Sequence, residues 1–203
     1  MSNPEGPFAP GGESAPDADK ENIPLEIEEK YIIDKDKIPK ELFASAERIP
    51  IVQGYLGGGK GRIRKMTKPD GQEVFIKTTK KRISGRVCEE PESDLTKQEF
   101  DSLWPQIVGK KIEKVRHKMP YSYHDDKAGK QMEVTIELDI FSGDLSGLIT
   151  AEVEFDTEDE ADGFVALEWF GKNVTEDLRY KNSRLAVAGR EANRGLIAET
   201  YGE

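Results

Sequence analysis

Histidine and cysteine are nearly absent from this chain, with two of the first and one of the second in 203 residues. A lone Cys88 closes no internal disulfide, and such usage suits a reducing compartment, here expected to be the cytoplasm. No base stands beside Cys88, so it is read as a small strand residue and not as a nucleophile. His117 and His124 are too few and too isolated for a zinc site and are expected on the surface or at a rim. Carboxylates, lysine and a metal are left to carry any chemistry. No apolar run is long enough to cross a bilayer, and the start has no charged-then-apolar signal pattern. Basic residues are outnumbered 30 to 40, for a net charge of −10, which argues against a general nucleic-acid surface.

What the chain does contain is charge in alternation. Pro24 to Ile33 reads as a strand, and side chains on a strand alternate between faces. Glu26, Glu28 and Lys30 therefore share one face, while Leu25, Ile27 and Ile33 point mostly the other way. Two carboxylates beside an ammonium repel and pack poorly, but they suit a hard divalent cation with a phosphate oxygen next to it. The pattern recurs with both signs. Arg62-Ile63-Arg64 and Lys114-Val115-Arg116 are cationic, and Phe75-Ile76-Lys77 ends on a cation. Glu90-Pro91-Glu92, Glu137-Leu138-Asp139 and Glu152-Val153-Glu154 are acidic. If these faces turn inward, acidic strands form one wall and basic strands another. So many buried charges are tolerable only when they pair, stay hydrated or bind ions.

The first 22 residues are rich in Pro, Gly, Ser and Ala, with five acidic side chains and one Lys. They cannot bury enough apolar surface to fold and are expected to form a disordered tail. Residues 23–187 form the expected domain, and 188–203 a helical extension. A short helix is expected within Pro39 to Glu47. Strands follow over Ile49–Leu56, Arg62–Lys68 and Glu73–Thr79, the last two joined by a Pro69-Asp70-Gly71 turn. Thr96-Lys97-Gln98-Glu99 is a capping box opening a helix to about Ile107. Strands are expected over Lys110–Met119, Met132–Phe141 and Leu148–Phe155. Thr157 opens a second helix expected to run through Phe164, Leu167 and Trp169 and to end at Gly171. Trp104 and Trp169, at helical spacing, are read as packing residues. Tyr180 to Tyr201 is expected to be helical in pieces. Gly54 to Lys60 matches the start of a phosphate-binding loop, but Gly61 stands where Ser or Thr is needed and a strand follows, so a glycine hairpin is expected.

The ordered set Glu26-Ile27-Glu28-x-Lys30, Gln53-Gly54-Tyr55-Leu56, Arg62-x-Arg64, Phe75-Ile76-Lys77, Glu113-Lys114-x-Arg116, Glu137-x-Asp139, Ala151-Glu152-x-Glu154 and Arg179-Tyr180-x-Asn182-Ser183-x-Leu185 resembles the CYTH family, the triphosphate tunnel metalloenzymes. The likeness covers about residues 24–187 and is nearest the bacterial inorganic tripolyphosphatase branch. It implies a mainly β (α+β) fold: a closed eight-stranded antiparallel barrel with helices outside and triphosphate bound in the lumen with Mg2+ or Mn2+. Carried over by position, Glu26, Glu28, Glu152 and Glu154, with Asp139 close by, hold the metal. Lys30, Arg62, Arg64, Lys77, Lys114 and Arg116 grip phosphate oxygens. Lys30 and Tyr55 match a pair implicated in the tripolyphosphatase branch, and Glu90 and Glu92 a pair that orients water or a second metal. Three positions depart from the pattern: Cys88, Pro91 and Asn173, with a bulge or edge expected at Pro91.

The expected activity is metal-dependent hydrolysis of inorganic tripolyphosphate to pyrophosphate and phosphate, by a monomer or homodimer with no nucleic-acid or membrane partner. The alternatives are a class IV adenylyl cyclase or thiamine triphosphatase, and a non-catalytic polyphosphate or nucleotide-binding module.

Overall fold

The computed structural model describes residues 25–58, 61–84, 86–125 and 129–202. The expected N-terminal tail lies outside them, as do Gly59 and Lys60 of the glycine run. Eleven strands form one antiparallel sheet: β1 (Leu25–Ile33), β2 (Glu47–Leu56), β3 (Arg62–Thr67), β4 (Glu73–Thr78), β5 (Lys81–Arg82), β6 (Val87–Glu89), β7 (Glu92–Leu95), β8 (Ile107–Asp125), β9 (Lys130–Phe141), β10 (Ile149–Phe155) and β11 (Phe170–Asn173). The order across it is β5-β6-β1-β10-β9-β8-β2-β3-β4-β7, with β11 pairing β1 at the side.

The margins of that order are β5–β6 and β4–β7, yet each margin is tied to the other by chain. Thr79 and Lys80 alone link β4 to β5, and Glu90 and Pro91 alone link β6 to β7. Such a link spans at most about 10 Å. The sheet therefore curls until its two margins face each other. The antiparallel sheet with helices outside is as expected, whereas its closure into an eight-stranded barrel is not seen as a ladder: among the described residues no strand pairing runs from one margin to the other. Pro91, which has no N–H to give, stands at one crossing, and its carbonyl accepts from the Thr79 N–H at the other (3.1 Å).

Alternation then sorts the side chains. The charged members face inward and the apolar members outward, where Ile63, Leu138 and Val153 are fully buried. Helices cover that outer face. α1 (Lys40–Ala44) brings Leu42 and Phe43 to a core built on Ile27, Ile136, Leu138 and Val153. α2 (Lys97–Leu103) covers β2–β4, where Phe100 stacks between Phe75 and Trp104. Its capping box is formed as expected, but it ends at Leu103 in a single 3-10 turn over Trp104–Gln106, where Pro105 blocks another helical bond.

The helix expected from Thr157 to Trp169 is a single short one, α3 (Glu158–Gly163). Thr157 caps it by accepting from the Glu160 N–H at 3.2 Å. Beyond Gly163 the chain extends, because Phe164, Leu167, Trp169 and Phe170 all pack on the outer core, and Gly171 lies within β11. β8 also exceeds its expected bounds, since its alternation runs on to Asp125 against β9. His117, expected on the surface or at a rim, is buried with its ring 4.4 Å from Phe43, because α1 covers that stretch of β8.

The C-terminal pieces are α4 (Asn182–Ala188) and α5 (Arg190–Tyr201), separated by Gly189. α4 approaches β8 so closely that a Cβ on Gly109 would lie 2.3 Å from the Ala186 carbonyl oxygen. α5 seats Ile197 beside Leu145 and Leu148, and the Tyr201 hydroxyl donates to the Ile33 carbonyl (3.1 Å). Among the described residues no helix is long and apolar enough to cross a membrane.

Candidate active site

The inner face of the curl encloses a cavity of about 1580 Å³. Register decides what meets in it. Glu28 pairs with Glu154, and Lys30 with Glu152, which pairs in turn with Glu137. Arg62 and Arg64 of β3 lie opposite Thr78 and Ile76 of β4. Residues paired in register share a face, so the acidic wall of β1 and β10 confronts the basic wall of β3.

The acidic wall has two layers. The inner layer is fully paired. Asp139, with no exposed surface, accepts from Arg116 Nε and Nη2, both at 2.8 Å, and from the Lys114 ammonium. Arg116 also bonds Glu137 and reaches Glu152 at 2.7 Å, and Glu152 takes the Lys30 ammonium at 2.8 Å. Burial alone would raise both carboxyls, but Arg116 and Lys114 hold Asp139 below its usual range, and Lys30 and Arg116 hold Glu152 well below its own. Lys114 is pulled down to about 8 by burial and by Arg116 alongside it, against the attraction of Asp139.

The outer layer is short of cations. Glu154 has its carboxyl raised by burial and by the charge of Glu26. Glu26 is raised by burial and by Glu90 alongside it. One ammonium stands among Glu26, Glu28 and Glu90. Lys80 Nζ lies 2.9 Å from Glu26, 3.3 Å from Glu28 and 2.5 Å from Glu90. Burial opposes its charge, but Glu28, Glu26 and Glu90 together hold the ammonium above its usual range.

The basic wall has donors to spare. Arg64 Nη2 bonds Glu92 at 2.8 Å, and Arg62 Nη2 lies 3.7 Å from Glu90. The Nε atoms of both arginines are buried with no hydrogen-bond partner among the described residues. Leaving such a donor unpaired costs about 1–3 kcal/mol. Tyr55 lies beside Arg62 in register, and its hydroxyl accepts from Gln53 Nε2 at 3.0 Å. At one end α4 presents Asn182 and Arg184 to the cavity, and Asn182 Oδ1 is also buried without a partner among the described residues.

Of the residues expected from sequence, Glu26, Glu28, Lys30, Tyr55, Arg62, Arg64, Glu90, Glu92, Arg116, Glu152 and Glu154 line this cavity. Asp139 and Lys114 do not; they lie behind it as a buried pair, their charges turned on each other and on Arg116. Lys77 is on the opposite face, since it pairs in register with the outward Ile63. Its place is taken by Lys80, which the sequence signals by a count of two from the inward Thr78. Arg86, Lys118 and Glu137 also line the cavity without having been singled out as site residues. Among the described residues, no three carboxylate, imidazole or thiol groups converge into a ready-made cation cage; the ammonium of Lys80 stands among the carboxylates instead.

No family model matches the chain. It is 36% identical over 166 residues to an inorganic triphosphatase of Nitrosomonas europaea, a match covering 80% of this chain and 97% of that protein. It is 31% identical over 162 residues to an inorganic triphosphatase of Acetivibrio thermocellus, covering 79% of this chain and 92% of that one. Among solved structures, the crystal structure of the inorganic triphosphatase NE1496 superposes with a TM-score of 0.52 at 31% identity, over 80% of this chain and 94% of its own. A second crystal structure of NE1496 gives 0.53 at 34% identity, over 80% and 97%.

Proposed function

The chain belongs to the inorganic triphosphatases, and on that premise we propose that it hydrolyses inorganic tripolyphosphate to pyrophosphate and orthophosphate inside the charged cavity. We place it in the CYTH group of triphosphate tunnel metalloenzymes and read the curled sheet as the tunnel of that group. The observation that carries the substrate assignment is the pair of buried Nε donors on Arg62 and Arg64 that have no partner among the described residues. Adjacent guanidinium groups on one strand match consecutive phosphoryl groups, because a fork of N–H donors fits phosphate oxygens.

The donor set opposite fits a hard divalent cation. Glu26, Glu28 and Glu154 would hold Mg2+ or Mn2+, since burial and neighbouring carboxyls raise Glu26 and Glu154, and the Lys80 ammonium is divided between Glu26 and Glu28. When bound, such an ion neutralises charge on the triphosphate oxygens. Glu152 and Asp139 contribute differently from the sequence expectation: with their oxygens engaged by Lys30, Lys114 and Arg116, they fix the wall on which the outer carboxylates stand.

Water attacks the terminal phosphorus in line, the bridging P–O bond breaks, and pyrophosphate leaves. Arg62 and Arg64 bear the charge that develops on the leaving group. Glu90 and Glu92 hold Lys80, Arg62 and Arg64 at the margin of the sheet. The reaction is placed in the cytoplasm.

The test is phosphate release from tripolyphosphate, ATP and thiamine triphosphate with Mg2+ or Mn2+, with cyclic AMP assayed in the ATP sample. Fast metal-dependent release from tripolyphosphate alone is expected. Cyclic AMP formation would move the assignment to a cyclase, and tight binding without turnover to a receptor.

A further inference from the structure

Gln53 is among the most completely buried polar side chains of the described residues, 1% exposed. It occupies an inward position on β2, opposite Arg64, two residues before Tyr55, which lies opposite Arg62. Its amide nitrogen donates to the Tyr55 hydroxyl oxygen at 3.0 Å.

The backbone there is irregular. Gln53 pairs with Ile112 of β8, but Tyr55 pairs with Val108, so Gly109, Lys110 and Lys111 together face Gly54 alone. Bulges of this kind re-aim neighbouring side chains. The bulge folds Ile107 over Gly54 so tightly that a Cβ on that glycine would lie 2.6 Å from Ile107 Cγ2. Gln53, Gly54 and Tyr55 thus form one built unit, locked from outside by Ile107.

A phenol oxygen carries one proton and accepts in two directions. Gln53 fills one of these, and the Arg62 guanidinium stands on another side. Tyr55 lines the cavity together with Arg62 and Lys30, so the O–H has the cavity as its open direction. We propose that Gln53 is a positioning residue: by donating to Tyr55 it turns the tyrosine O–H toward the cavity, where it meets a phosphoryl oxygen of the substrate. This rests on the cavity being the site of triphosphate hydrolysis.

The experiment is a double-mutant cycle on the full chain with Mg2+ and tripolyphosphate. Wild-type turnover comes first: without it the functional reading fails, and the cycle is not reached. Gln53→Met keeps length and removes the donor, and should lower kcat about tenfold, the worth of one hydrogen bond, with KM little changed. Tyr55→Phe should lower kcat at least as much. The double variant should match Tyr55→Phe alone, because Gln53 acts only through that hydroxyl. If the double variant instead falls by the product of the two single effects, or if Gln53→Met keeps wild-type kcat, the proposal is wrong. Gln53→Glu guards against a Met variant that fails to fold. Its ionised carboxylate accepts the tyrosine proton and turns it away from the cavity, so kcat falls at alkaline pH and recovers in acid as the carboxyl regains a proton. A Glu variant whose activity tracks the wild-type pH profile would equally overturn it.

Discussion

Arg116→Met tests whether the buried charge cluster is a structural foundation or merely a crowd of charges. The guanidinium makes two bonds to Asp139 at 2.8 Å, one to Glu152 at 2.7 Å, and one to Glu137. Methionine has similar reach and no donor. Removing one partner of a buried ion pair costs about 3–5 kcal/mol. Each orphaned carboxylate retains a lysine, however: Lys114 on Asp139, Lys30 on Glu152 and Lys118 on Glu137. The loss should therefore sit near the lower end, about 3 kcal/mol, which is a large share of the roughly 5–15 kcal/mol that holds a domain folded. The sign of the pH dependence follows from the carboxyls. Asp139 and Glu152 are held below their ordinary values, so their contribution is full at neutral pH and lost as pH falls through the folded values. In the variant those carboxyls take up protons earlier, and neutral carboxyls need no cation. Urea unfolding at pH 7 and at steps down to about pH 3 should show a gap that narrows with acid. A gap under about 1 kcal/mol at pH 7, or one that does not change with pH, would refute the reasoning.

Three further outcomes are expected. Glu154→Gln should raise the melting temperature in metal-free buffer near neutral pH, since a carboxyl raised by burial and by Glu26 favours folding below its unfolded value and loses that as pH rises; an unchanged or lower melting point would contradict the crowding of that wall. Arg62→Ala should lower kcat/KM for tripolyphosphate roughly ten- to a hundredfold, the worth of one charged hydrogen bond; a kcat/KM within twofold or so of wild type would remove Arg62 from the phosphate site. Lys80→Met takes away the ammonium shared by Glu26, Glu28 and Glu90, so added Mg2+ should stabilise the variant more than the wild type in thermal melts; a smaller shift would place the metal elsewhere.

Strand alternation made most of this site legible. Counting in twos from Glu26, Arg62 and Glu152 finds inward residues because a strand has only two faces. The same count puts Lys77 outward, one step before the inward Thr78 that ends β4, and reaches Lys80 only when carried past the strand into the link that crosses to the other margin. Distinguishing layers within one face was also beyond the pattern. Asp139 and Glu154 read alike as inward acids, but depth is set by where neighbouring strands put Lys114 and Arg116. The overlong helix after Thr157 failed because Phe164, Leu167 and Trp169 fit helical spacing as well as they fit an extended run laid over the core.

The pairing of β1 with β10 has a consequence for how the molecule comes into being. Glu26 and Glu28 are made early in synthesis and Glu152 and Glu154 late, yet they form a single wall. Contacts so distant along the chain form slowly, since a long loop must close before they are rewarded. A nascent chain that has not yet released β10 carries half a wall and no pairing for Lys30. The activity should therefore arrive all at once, at the final step of folding, and amino-terminal fragments that stop short of β10 should have none of it.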